Sequence, residues 1–120
     1  VVESLEFDEK WQQLKERFVQ RLVVRFADID RAWASLGKQP DDMEALSDLF
    51  HLVHSLAGSG ATFGFEALSE CARQLEPVID PQLATGRAPV EGGRRATILR
   101  ALELIRAQAH LINAQVSLTQ

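Results

Sequence analysis

Tyrosine is absent from this 120-residue chain, and cysteine occurs once. The lone thiol, Cys71, excludes an intrachain disulfide and a multi-cysteine metal site, and it fits a reducing compartment, so a cytoplasmic location is expected. No apolar run approaches the ~20 residues that a membrane span requires. The opening Val1-Val2-Glu3-Ser4 lacks an initiator methionine and the charged-then-apolar order of a signal peptide. Direct membrane contact is therefore not expected, and the start reads as that of a domain excised from a larger protein, which leaves open a membrane-anchored parent. A basic excess is missing too. The 13 Lys and Arg residues are scattered and outnumbered by 17 Asp and Glu, for a net charge of −4, which argues against nucleic acid as a partner. Period-two alternation, internal repeats and low-complexity tracts are also lacking, so nothing points to a sheet or a solenoid.

What remains is helical periodicity. With 46% apolar residues the chain can build one compact core but not two, so residues 1–120 are read as a single domain. Trp11, Leu14, Phe18, Leu22, Phe26, Ile29, Trp33 and Leu36 recur every three or four positions between Asp8 and Leu36, predicting one long helix that ends at Gly37. Asp41 and Asp42 can cap a second helix starting near Asp42. In that helix Leu46, Leu49, Phe50, Val53, Leu56, Ala57, Gly60 and Phe63 share one arc. His54 lies at its border, roughly 110° from the centre at 100° per residue. Gly64 marks a turn into a third stripe of Phe65, Leu68, Cys71, Ala72 and Leu75, continuing to Val78 or Ile79. Pro77 and Pro81 predict a kink or break in it. Thr85 to Pro89 reads as a loop, and Gly92-Gly93 as a flexible joint before a last helix bearing Ala96, Leu99, Leu102, Ile105, Ala109 and Ile112. The expected fold is all-α, an antiparallel four-helix bundle.

The candidate site is His54, because Gly58 lies one turn away with Ala57 and Ala61 close by, which leaves an imidazole edge that long side chains would otherwise cover. Two glycines so close together in a helix, Gly58 and Gly60, each cost about 1 kcal/mol relative to alanine, which suggests that something must approach closely. Imidazole has one nucleophilic nitrogen when the other is oriented by a hydrogen bond. A third helix returning after Gly64 brings Gln74 or Glu76 alongside His54, with Glu76 the preferred orienting group. His51 and His54 share part of a face, but one cysteine and a remote His110 supply no compact ligand set, so no metal is expected. Gly58-Ser59-Gly60 has neither the lysine nor the preceding strand of a phosphate loop, and Ser59 is no nucleophile elbow. The chain carries no self-contained catalytic apparatus.

The run His54-Ser55-Leu56-Ala57-Gly58-Ser59-Gly60-Ala61-Thr62-Phe63-Gly64, continued by Phe65 to Glu76, resembles the histidine-containing phosphotransfer (HPt) domains, strongly in the central third and by pattern in the flanking helices. The resemblance implies a four-helix bundle in which His54 is the phosphoacceptor and Gly58 the clearance for a docking receiver domain. It implies a phosphocarrier rather than an enzyme, one module of a larger signalling protein such as a hybrid histidine kinase. Its partners would be a response-regulator receiver domain, a sensor histidine kinase or both. It carries no cofactor of its own; Mg²⁺ is expected in the partner receiver. The departure is Ala57, where the family usually has a lysine that would attract a charged phosphohistidine; Arg73 or another cation could take its place. The alternative reading is a non-phosphorylated helical interaction module in which His54 is structural.

Overall fold

A computed structural model describes residues 2–80 and 89–119. Four helices follow one another: α1 (Val2–Lys38), α2 (Met43–Thr62), α3 (Glu66–Ile79) and α4 (Gly92–Thr119). No strand occurs among the described residues, and no described helix is long and apolar enough to cross a membrane. Each helix runs antiparallel to the one before it. Between α1 and α2, Ser35 meets Asp42 at one end and Phe18 meets Phe63 at the other. Between α3 and α4, Arg94 donates to the Val78 carbonyl near the end of α3. The ring closes where Arg106 of α4 pairs with Asp30 and lies over the Phe26 ring of α1.

The core is the sum of four apolar stripes, with Leu22, Ile29 and Leu36 from α1, Leu46, Leu49, Val53 and Leu56 from α2, Leu68, Leu75 and Ile79 from α3, and Ile98 and Ile105 from α4, all essentially inaccessible. Three expected core positions, Leu14, Ala96 and Leu99, are exposed instead. Leu99 faces solvent and Ile98 takes its place. The expected steps of three from Ala96 to Leu99 to Leu102 each slip 60° around a helix, whereas Ile98, Leu102, Ile105, Ala109 and Ile112 alternate four and three and stay on one face. Leu14 is also exposed: α1, with 37 residues against 20 in α2, runs past the end of α2, where Phe63 is met by Trp11 and Phe18 on either side of Leu14 and not by Leu14 itself. At 1.5 Å per residue α1 alone accounts for nearly all of the molecule's 56 Å length.

Helix boundaries follow local chemistry, with three differences from expectation. Gly37 does not end α1, which continues to Lys38; Pro40 stops it by disfavouring helical geometry at Gln39, whose N–H still reaches the Ser35 carbonyl at 2.8 Å. Pro77 does not break α3, which runs to Ile79, because a proline in the last turn removes one hydrogen bond with little helix left to disrupt. Gly92-Gly93 is the first turn of α4 rather than a joint; Gly92 has φ +53°, a conformation glycine adopts without strain. Pro81 and most of the expected loop from Thr85 lie outside the described residues.

Asp42 rather than Asp41 caps α2. Its carboxylate accepts from the Ala45 N–H at 3.1 Å and from the Ser35 hydroxyl at 2.9 Å, and these two bonds hold its pKa below the ordinary carboxylate value. The other end of α2 is a Schellman turn. Phe65 N–H returns to the Gly60 carbonyl at 2.8 Å and Gly64 N–H to the Ala61 carbonyl at 3.2 Å, with Gly64 at φ +83°.

The two glycines that drew attention in the sequence have different roles. A Cβ on Gly60 would come within 3.3 Å of the Ser69 backbone nitrogen and 3.4 Å of the Phe65 carbonyl, so this glycine lets α3 lie against α2. A Cβ on Gly58 would meet nothing within 4 Å. Gly58→Ala should therefore stabilise the fold by up to about 1 kcal/mol through helix propensity, while Gly60→Val should destabilise it by about 1–3 kcal/mol through overpacking. Urea denaturation of both variants checks this; similar effects at the two positions would contradict it.

Candidate functional site

His54 stands just past the middle of α2 with its side chain 67% exposed. Its Nδ1 lies 3.0 Å from Oε1 of Glu76 on α3, while the Glu76 side chain is itself only 23% exposed. A carboxylate can only accept, so the ring donates from Nδ1 and the Nε2 lone pair is left pointing away from the protein. The ring is held from below as well. Phe50, one turn earlier, stacks on it with centroids 6.0 Å apart and planes 10° from parallel. Two flat contacts, one polar at Nδ1 and one apolar on the ring face, limit where the imidazole can turn.

The expected neighbours of His54 divide sharply. Gly58, one turn on, is exposed with open space above it. Ala61 is half-buried at the edge of the same surface. Ala57 is buried at 3% exposure, enclosed between α2 and α3, and so offers a partner no side-chain surface. Gln74 does not approach the histidine; it is exposed and donates to Glu70 on its own helix at 3.4 Å. Helical geometry explains the difference between Gln74 and Glu76. Ser69 and Glu76, seven residues apart, lie within about 20° on α3, on the side that faces α2, whereas Gln74 is rotated away.

Ser69, not singled out in the sequence, is the one polar side chain fully buried among the described residues, and its hydroxyl donates to the Ala57 carbonyl at 2.7 Å. No spacing rule marks it, since a serine in an apolar stripe reads as an exposed residue. Phe50 was legible: it precedes His54 by four, which places it under the ring. On the opposite flank, Arg25 of α1 donates to Ser55 and lies over the Phe18 ring.

The shape of the site restricts its chemistry. A groove of about 650 Å³ between α1 and α2, lined by Asp28, Asp42, Glu44 and Asp48, ends at His51 and Ser55 and does not include His54. His54 instead projects from a convex helix face, where nothing encloses a small substrate. Among the described residues no three His, Cys, Asp or Glu side chains converge on a point that a metal ion could occupy. The arrangement is a nucleophile with one free nitrogen, presented outward.

The hydrogen bond makes a direct spectroscopic prediction. In ¹⁵N-edited imidazole spectra of the neutral ring, His54 should show the Nδ1–H tautomer, and Glu76→Ala should shift the population toward Nε2–H. A wild-type ring already protonated at Nε2 would contradict the geometry.

Comparisons with known proteins agree with this picture. The profile described as Hpt domain matches residues 13–110, a span that reaches from α1 to α4 and contains His54 and Glu76. The chain is 39% identical over 54 residues to the chemotaxis protein CheA of Klebsiella aerogenes, covering 45% of this chain and 8% of that protein. It is 27% identical over 92 residues to CheA of Halobacterium salinarum, covering 77% of this chain and 14% of that protein. The chain thus spans a small fraction of either relative's length. No solved structure gives a significant match. With the family match, the helical bundle and the outward histidine falling on the same residues, the chain belongs to the Hpt family, the histidine phosphotransfer domains of two-component signalling.

Proposed function

We propose that His54 is a phosphoacceptor, taking a phosphoryl group from a receiver aspartate or a kinase and passing it to a response-regulator receiver. The observation that carries this reading is the exposed imidazole whose Nδ1 is engaged by Glu76 at 3.0 Å while Nε2 faces out. In the forward step the Nε2 lone pair attacks phosphorus of an aspartyl phosphate. The N–P bond forms as the P–O bond to the aspartyl carboxylate breaks, and that carboxylate leaves with the bonding pair. The ring, still bearing Nδ1–H, becomes positively charged, and the Glu76 carboxylate offsets that charge where it develops. Reversal with a second receiver returns the ring to its neutral form.

The division of labour follows from shape. A convex nucleophile cannot enclose the transferring group, so the concave half of the reaction centre belongs to the partner; for a receiver partner, the resemblance to the family implies that this half brings the acidic pocket and Mg²⁺. The domain itself is a phosphocarrier without autonomous kinase activity. Gly58 supports the same reading. Neither backbone conformation nor packing within the bundle requires a glycine there, so its small size serves something outside the bundle, such as the rim of a docking receiver. We place the domain as one module of a longer signalling protein, in keeping with the small fraction of each relative that it spans, and its location as cytoplasmic.

Two donors separate the parts of this proposal. Phosphoramidate, a small donor, should label the wild-type domain with acid-labile, base-stable phosphate, and a folded His54→Gln variant should take up none. Gly58→Gln should accept phosphate from phosphoramidate normally yet receive it from a phosphorylated receiver at least about tenfold more slowly, the equivalent of about 1.4 kcal/mol in the barrier. Undiminished labelling of His54→Gln would refute the phosphoacceptor and favour the helical interaction module. Equal rates for Gly58→Gln and wild type with the receiver would show that the partner approaches from elsewhere.

A further inference from the structure

A phosphohistidine at position 54 would place a multiply charged group on a surface where α2 itself offers no Lys or Arg within two turns on that side: its neighbours there are Phe50, His51, Gly58 and, two turns on, Ala61. The nearest position from which α2 could supply one, Ala57, is buried against α3. The compensating charge must come from a neighbouring helix, and the seam between α2 and α3 identifies which residue is placed to supply it.

On α3, Ser69, Arg73 and Glu76 fall within about 60° of arc at 100° per residue. The two outer members both reach α2: Ser69 hydrogen-bonds the Ala57 carbonyl and Glu76 hydrogen-bonds His54. Arg73 lies between them, one turn from each, on the open side of the same seam and therefore on the flank of α2 that carries His54, Gly58 and Ala61. Its side chain is exposed and makes no hydrogen bond, ion pair or ring contact among the described residues. Among the described residues neither acidic neighbour on its own helix forms an ion pair with it: Glu70 accepts from the neutral amide of Gln74, and Glu76 accepts from His54. Arg25, the other candidate, is on the far flank of α2, donating to Ser55 and lying over Phe18.

We infer that Arg73 is the phosphoryl-binding residue of this domain, its guanidinium closing over the oxygens of the group carried on Nε2 of His54. Arginine suits the task because its planar fork donates two parallel hydrogen bonds to phosphate oxygens and stays charged throughout. The charge that α2 lacks at Ala57 is then supplied across the seam from α3. The inference rests on the reading of His54 as phosphoacceptor.

The test uses the chain labelled with phosphoramidate and followed by ³¹P NMR as a function of pH, which reports the step from singly to doubly charged phosphoryl. The charged or titratable groups near that site are Glu70, Glu76 and, one turn further on, Asp80 at the end of α3, with His51 on α2, all unchanged in the variants. Replacing Arg73 by Gln should move the midpoint up by between about 0.2 and 0.7 pH, as expected for an exposed ion pair. Arg73→Lys should restore part of the difference, through its charge but without the paired donors, Arg25→Gln should leave the midpoint unchanged, and high salt should shrink the gap between Arg73→Gln and wild type. An Arg73→Gln midpoint equal to wild type overturns the inference, as does a difference that lysine fails to rescue or that salt does not reduce. Absence of label on wild-type His54 would instead refute the phosphoacceptor reading itself.

Discussion

The close approach of α2 and α3 is the constraint on which the site depends. Gly60 has no side chain to keep the Ser69 backbone away, the Schellman turn at Gly64 reverses the chain within three residues, and the Ser69 hydroxyl locks the seam by bonding the Ala57 carbonyl. With turn and seam in place the register of the two helices has no freedom. Position 76 then arrives opposite position 54, and a carboxylate meets an imidazole at hydrogen-bond distance. A bulkier residue at position 60 would alter that distance before it altered anything else about the histidine.

The rest of the bundle supports that hairpin rather than contributing chemistry. α1 and α4 cover its apolar side through Leu22, Ile29, Ile98 and Ile105, while the opposite side of α2 stays open. The placement is economical in a physical sense: the groups that tune the imidazole sit on rigid helices with their own rotamers restricted by packing, and the side from which a partner must come carries the smallest residue in the alphabet. Preorganisation of this kind is what a carrier needs, since it must serve as acceptor and donor with the same atoms.

Much of this was legible in the sequence, and the limits are instructive. The four helices, the turn at Gly64 and the border position of His54 follow from periodicity and glycine placement alone. The pairing of 54 with 76 follows from a tight turn plus helical rise, which is why two candidates near the right height could be named but only their rotation about α3 separates Glu76 from Gln74. Rotation also decided the misplacements. Leu99 and Leu14 belong to plausible stripes, yet which stripe is covered depends on neighbouring helices: the 98–102–105 face points inward, and α1 extends past the end of α2. Ala57 is the clearest case. Its place in the apolar arc pointed inward while its nearness to His54 suggested open surface, and the seam that Gly60 permits closes over it. Small residues in sequence mark close approach without saying whether the approach comes from the same chain or from another.

The central claim is that the Glu76 contact reserves Nδ1 and leaves Nε2 as the reacting nitrogen. The most direct measurement is the one-bond ¹⁵N–³¹P coupling in the domain labelled with ¹⁵N-histidine and phosphorylated on His54, which identifies the nitrogen that carries phosphorus. Coupling to Nε2, with Nδ1 retaining its proton toward Glu76, is the predicted result; coupling to Nδ1 would contradict the account.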